Sequence, residues 1–175
     1  MTTRVWHQSF TVLSDLGAYD DALQAHFRRV ARTDTEIVMH GMRTGTYRSN
    51  YPGDDIRHAG LQHLHSIQFI EAGLAAERDG FDAYAISTLP DPALREIRSL
   101  LRIPVVGYGE SAMLTSCLLG SRFAVLVFIS GCGNDLDKVV AVELPAAVAD
   151  RVTEEAEYFY SDSGIVRNRL RAGRI

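Results

Sequence analysis

The chain predicts an α/β protein, a parallel sheet flanked by helices, and three observations predict it. Short runs rich in β-branched and aromatic residues alternate with helical apolar periodicities from Arg4 to Phe128. Turn formers punctuate the junctions, as at Gly80, Pro92 and Gly107. The intervening helical stretches are about ten to twenty residues long, enough for right-handed crossovers that cover both faces of a parallel sheet. A chain of 175 residues can bury one sizeable core or two small lobes.

Taken in order, residues 4–8 read as a strand, and Tyr19, Ala22, Leu23, Phe27 and Val30 then recur at helical spacing. Residues 36–40 make a second strand, and residues 41–54 hold too many turn formers for either element. That long loop is of the kind that carries function in compact domains. Leu61, Leu64, Ile67, Ile70 and Leu74 fall three or four apart in a helix over residues 59–79, and Gly80 stops it. Residues 81–87 predict a third strand, 92–101 a helix with Pro92 in its first turn, and 103–108 a fourth strand.

A helix over residues 110–119 carries Met113, Leu114, Cys117 and Leu118 on one side, which makes Cys117 a core residue. Residues 122–128 form a nearly continuous apolar run suited to a strand buried on both faces. Beyond Phe128 the pattern weakens into a loop over 129–135, a strand over 139–142 and a helix over 146–160. Residues 164–175 hold four Arg and no packing stripe.

Several function classes are excluded or disfavoured. With 18 Lys and Arg against 22 Asp and Glu, and a net charge of −4, no basic stripe exists to neutralise phosphates. Nucleic acid is therefore not an expected partner. The longest apolar run, residues 121–130, is about half the ~20 residues a membrane span needs. The N-terminus has no apolar signal segment, so the cytoplasm is the expected compartment. Two cysteines, Cys117 and Cys132, are too few for a disulfide framework and form no CxxC pair. No metal is expected: His63 and His65 are two apart on a helix and diverge, and no HExxH spacing exists. His58, His63 and His65 read as exposed helix-face residues.

In parallel α/β sheets, ligands bind at the carboxyl ends of the strands. The candidate site segments are therefore residues 7–11, 40–46, 87–91 and 108–112. His7 falls at the end of the first strand and His40 at the end of the second. Ser87 and Thr88 end the third strand, where their hydroxyls either meet a ligand or cap the next helix, and Asp91 reads as a cap. Gly107-Tyr-Gly109-Glu-Ser-Ala112 fits the outline of a dinucleotide fingerprint. The acidic residue expected about 20 positions later is missing, and small residues at a tight strand-to-helix turn are the plainer account.

Three segments carry a resemblance: Gly80-Phe-Asp-Ala-Tyr-Ala-Ile-Ser-Thr-Leu-Pro-Asp-Pro-Ala-Leu94, Ile103-Pro-Val-Val-Gly-Tyr-Gly-Glu-Ser-Ala-Met113 and Leu119-Gly-Ser-Arg-Phe-Ala-Val-Leu-Val127. Together they resemble the Asp/Glu/hydantoin racemase superfamily over residues 4–128, with Trp6-His-Gln-Ser-Phe-Thr11 a variant of its first loop. The resemblance implies two α/β lobes in an aspartate-racemase-like arrangement, residues 1–104 and a shortened, incomplete second lobe over 105–175. It implies cofactor-independent racemases or isomerases that use one cysteine per lobe to move a proton at the carbon next to a carbonyl. The ligands implied are small carboxylates, amino acids or hydantoins, and the implied assembly is a homo-oligomer.

The family's first cysteine falls on Thr88, whose hydroxyl is far less acidic than a thiol. Cys132, in Gly131-Cys-Gly133, is the candidate second thiol. His7, Ser9, Thr11 and Ser87 are the expected substrate contacts, with Thr88 helping to hold a carboxylate or amide and Glu110 or Ser111 reaching it from the second lobe. A relative that kept the cleft and lost its thiols would be a non-catalytic small-carboxylate binder. A chain that is part of a longer protein is a further possibility.

Overall fold

The structure is a computed structural model and describes residues 2–49, 52–119, 155–161 and 165–171. The chain divides into two compact units, Met1–Gly109 and Glu110–Ile175.

In the first unit, β1 (Thr3–Ser9), β2 (Thr35–His40), β3 (Ala83–Ser87) and β4 (Val105–Gly107) form a parallel sheet in the order β2-β1-β3-β4. Between them run α1 (Gly17–Val30), preceded by a 3-10 turn at Leu13–Asp15, then a short α2 (Gly53–Ile56), α3 (Ala59–Arg78) and α4 (Leu94–Leu100). The α/β class with a parallel sheet is thus realised. Helix α5 (Tyr108–Leu119) starts at the boundary of the first unit and continues in the second.

The period of two along a strand assigns the faces. Trp6, Gln8, Tyr84 and Ile86 share one face through the β1/β3 register, in which Trp6 pairs with Tyr84 and Gln8 with Ile86. That face packs on α3: Tyr84 is fully buried and its hydroxyl donates to the Phe69 carbonyl at 2.9 Å. Burial pushes the Tyr84 phenol up, so it stays a neutral donor. Helix α4 lies against α3 where Gly73 lets Ile97 and Leu101 approach. Each large side chain buried here contributes roughly 1.5–3 kcal/mol. The opposite face carries His7 and Ser9, and the His7 ring meets Phe27 of α1 edge-on at 4.8 Å.

Several predicted elements change. The helix expected from Pro92 begins at Leu94, because Asp91 and Ala93 have φ of 46° and 55° and cannot continue a right-handed helix. The helix expected over residues 110–119 begins two residues earlier, at Tyr108, as α5. The helix expected over 146–160 is replaced at its end by strand β5 (Glu155–Ser161), which pairs antiparallel with β6 (Ile165–Arg171). Consecutive aromatics at Tyr158, Phe159 and Tyr160 favour extended backbone. Within residues 164–175, expected to hold four Arg and no packing stripe, Arg167, Arg169 and Arg171 recur at period two along strand β6. The strand expected over 122–128 and the elements expected over 129–142 lie outside the described residues. No helix among the described residues is long and apolar enough to cross a membrane.

Candidate functional site

The sheet order turns back at β1: β2 lies on one side of it and β3 on the other. Between the carboxyl ends of such a pair the chain leaves in opposite directions and opens a crevice. The register pairs Ser9 with Ser87 there, so the expected contact residues Ser9, Thr11, Ser87 and Thr88 come together from segments far apart in sequence.

Ser9 and Thr11 are a preformed hydroxyl pair. Their oxygens lie 2.8 Å apart, and Thr11 N–H donates to Ser9 Oγ at 3.2 Å. Both residues are buried, at 0% and 4% exposure, so their polar groups are satisfied by each other rather than by solvent. Behind them, Trp6 Nε1 donates to Gln8 Oε1 at 3.0 Å, and Gln8 Nε2 donates to the Ser9 carbonyl at 3.1 Å. This chain of bonds fixes the end of β1. The Thr11 carbonyl accepts the Met42 N–H at 2.8 Å, which ties it to the loop after β2.

That loop folds back over the site. Thr46 Oγ1 accepts from Gln68 Nε2 at 3.0 Å, Arg43 pairs with Glu71 of α3, and the Tyr47 hydroxyl donates to the Phe10 carbonyl. Asp55, whose side chain is 3% exposed, accepts from the Arg48 N–H at 3.0 Å and also pairs with its guanidinium. Burial alone would raise the Asp55 carboxyl, but the Arg48 bonds and charge, with a smaller contribution from His65, outweigh it and hold the group below its ordinary value. The Tyr47 phenol is pushed up by burial and then by Asp55.

Under the loop, a crevice of about 20 Å³ lies against α3, room for roughly one water-sized group. It is lined by the apolar side chains of Phe10, Ile56, Phe69, Pro90 and Pro92 and by Tyr47, Gln62, His65 and Thr88. Thr88, the position of interest in the sequence, therefore opens on a partly polar pocket. His65 is a correction: it is not an exposed helix-face residue but half-buried, with the Tyr47 ring edge-on at 4.9 Å. No sequence signal marked Tyr47, Gln62 or His65 beyond membership of the loop and helix that carry them.

Two further expectations change. His7 does not end its strand, because β1 runs on to Ser9; its ring is buried against Phe27, and burial lowers its pKa to about 4. It belongs to the α1 packing rather than to the rim. His40 does end β2, where it stacks on Trp6 at 3.3 Å, and burial lowers its pKa too. Asp91 caps, as expected, but not the helix that follows it: Asp91 Oδ1 accepts the Gly109 N–H at 3.0 Å in the first turn of α5.

This contact explains the glycine pair. A Cβ on Gly107 would lie 2.6 Å from the Asp91 carboxyl, and one on Gly109 would lie 2.1 Å from the Leu89 carbonyl oxygen. The protein's own carboxylate occupies the helix N-terminus that a dinucleotide phosphate would need, and the close approach of the loop after β3 accounts for both glycines. Glu110 and Ser111 lie in the next positions of α5, in the second unit. Cys132 lies outside the described residues. Cys117, expected in the core, is half-buried on α5. Among the described residues no three His, Cys, Asp or Glu side chains cluster as metal ligands.

The first unit is a parallel α/β sheet with buried hydroxyls at its central strand ends, where folds of this class bind ligands. A sequence model of the Asp/Glu/hydantoin racemase family matches residues 18–130, and the chain belongs to that family. It is 29% identical over 115 residues to a hydantoin racemase of Pseudomonas sp. (strain NS671), covering 65% of this chain and 43% of that protein. A Rhizobium meliloti hydantoin racemase is 27% identical over 94 residues, which is 39% of its length. The fold is shared with an allantoin racemase from Klebsiella pneumoniae, at TM-score 0.60 and 23% identity over 73% of this chain and 48% of that one. An allantoin racemase from Pseudomonas fluorescens matches at TM-score 0.55 and 21% identity, over 73% and 49% of the two chains. The chain thus spans less than half the length of each of these relatives.

Proposed function

We propose that the protein is a racemase-like isomerase that moves a proton, without a cofactor, at the carbon next to a carbonyl of a small amino acid, hydantoin or related carboxylate. The observation that carries this reading is the buried Ser9–Thr11 hydroxyl pair, with Ser87 at the end of the adjacent strand and Thr88 just after it, in a chain of this family. Ser9, Thr11, Ser87 and Thr88 offer hydroxyl and backbone donors to the carbonyl oxygen, whose developing negative charge is what an isomerase of this kind must stabilise. Glu110 or Ser111 is a further contact to the ligand, and Cys132 supplies the thiol acid/base. Two lobes, 1–104 and 105–175, and self-association of the chain complete the proposal.

A second reading rests on Thr88 standing where the family has a thiol: a relative that binds the same ligands without turning them over. Solvent-deuterium incorporation at the α-carbon, followed by proton NMR with enantiopure 5-methylhydantoin, allantoin, aspartate and glutamate, separates the two. Incorporation together with loss of optical activity supports the isomerase. Saturable binding without incorporation makes the protein a binder, and unchanged activity in Cys132→Ser removes that thiol from the mechanism.

A further inference from the structure

We propose that His65 serves as the proton acceptor behind Thr88, so that a hydroxyl and an imidazole together take the place of the thiolate in the first unit. The proposal rests on the isomerase reading above. Thr88 and His65 line the same crevice. A threonine hydroxyl alone does not ionise near neutrality, and an alcohol is made effective by an adjacent base within reach. Histidine is the side chain whose proton exchange suits that task.

The other polar residues of the crevice do not suit it. Gln62 does not titrate, and the Tyr47 hydroxyl is committed to the Phe10 carbonyl, with its phenol pushed up by burial and Asp55. His65 Nδ1, in contrast, is buried and has no hydrogen-bond partner among the described residues. Its ring is held by the Tyr47 edge. The hydroxyl thus comes from the loop after β3 and the imidazole from α3.

The proton balance is simple. The Thr88 oxygen takes the proton from the carbon next to the carbonyl as its own hydroxyl proton passes to the imidazole. The C–H electron pair moves onto the carbonyl oxygen as an enolate, and an imidazolium remains. Reversing the same path returns a proton to carbon. His65 acts through Thr88, so it is a positioning and proton-holding residue rather than one that touches the substrate.

The experiment follows deuterium exchange at C5 of enantiopure 5-methylhydantoin in D₂O, with the uncatalysed rate subtracted, for the full chain and its variants. His65→Gln is expected to lose at least about 100-fold in exchange. Free imidazole is expected to restore part of the rate in His65→Gly, which a purely structural ring would not allow. Thr88→Cys, with its own acidic thiol, is expected to exchange with or without His65. Wild-type exchange in His65→Gln, or a loss in His65→Gly that imidazole does not repair, overturns the role of His65 and leaves the isomerase reading standing. No exchange in the wild type and in Thr88→Cys alike sinks the isomerase reading and this inference with it.

Discussion

The Asp91 carboxylate accepts the Gly109 backbone N–H at 3.0 Å, fastening the loop after β3 to the first turn of α5. One residue thereby serves two segments: its backbone N–H closes a turn onto the Thr88 carbonyl at 3.1 Å, and its side chain caps a helix 18 residues further on. Asp91 also holds φ at 46°, a conformation that Asp, Asn and Gly tolerate best. Asp91→Asn should therefore be nearly neutral, whereas Asp91→Ala should destabilise by about 1–2 kcal/mol. The two glycines give a sharper form of the test. Gly107→Ala meets a side chain, the Asp91 carboxyl, and should be partly relieved in an Asp91→Gly background. Gly109→Ala meets the Leu89 backbone and should not be. Urea unfolding of the two double variants checks this, and equal relief in both would refute the assigned contacts.

His7 makes the first unit sensitive to acid. Burial holds its pKa at about 4 against 6.5 in an open chain. Below 6.5 the unfolded chain binds a proton that the folded protein refuses, so stability falls as pH drops through that window and is unaffected above it. The full loss is roughly 3 kcal/mol by the time pH reaches about 4. Replacing His7 with Leu should flatten this part of the pH dependence, measured as the difference between wild type and variant in urea midpoints at pH 7 and about 4.5. Parallel curves for the two proteins would show that His7 is not the group responsible.

Ser9 and Thr11 should prove coupled. Ser9→Ala leaves both the Thr11 hydroxyl and the Thr11 N–H without their shared partner in a buried place. That single change should cost about 1–3 kcal/mol. Adding Thr11→Val to it should cost much less than Thr11→Val does in the wild type, because the hydroxyl it removes has already lost its partner. A double-mutant cycle by thermal unfolding measures the coupling, and additive losses would mean the hydroxyls do not sustain each other.

The sheet of the first unit was readable because its signals are local. Residues 4–8, 36–40 and 81–87 carry strand composition between helices whose apolar residues keep helical spacing, and the observed strands differ from them by only one or two residues at the ends. Ser9, Ser87 and Thr88 followed from that reading, since strand ends collect ligands whatever the side chains are. His65 did not, because a histidine on a mixed helix face looks solvated until a loop is known to fold over it. Only the fastening of Tyr47 to Phe10 and of Arg48 to Asp55 reveals that cover. The start of α4 departs from its sequence pattern for the opposite reason: Pro92 is a good first-turn residue, but the long-range capping of α5 by Asp91 claims the backbone ahead of it. The strand over residues 155–161 has no clean alternation to announce it, since its aromatics are consecutive and only their β propensity favours extended backbone.

The pairing of Ser9 with Ser87 also constrains how the protein is made. The central strands β1 and β3 are joined by the whole stretch that contains α1, β2, α2 and α3, so this part of the sheet closes a loop of well over sixty residues. Contacts of such separation form late and slowly, after the entropy of loop closure has been met. A growing chain that has emerged only as far as α3 can pair β1 with β2 and tie Thr11 to Met42, but Ser9 still lacks Ser87 across the sheet. Until Ser87 arrives, the edge of β1 that β3 will cover presents unpaired backbone, the kind of edge that invites association with other chains. Synthesis and refolding of this protein should therefore be most vulnerable to aggregation in the interval before β3 joins the sheet.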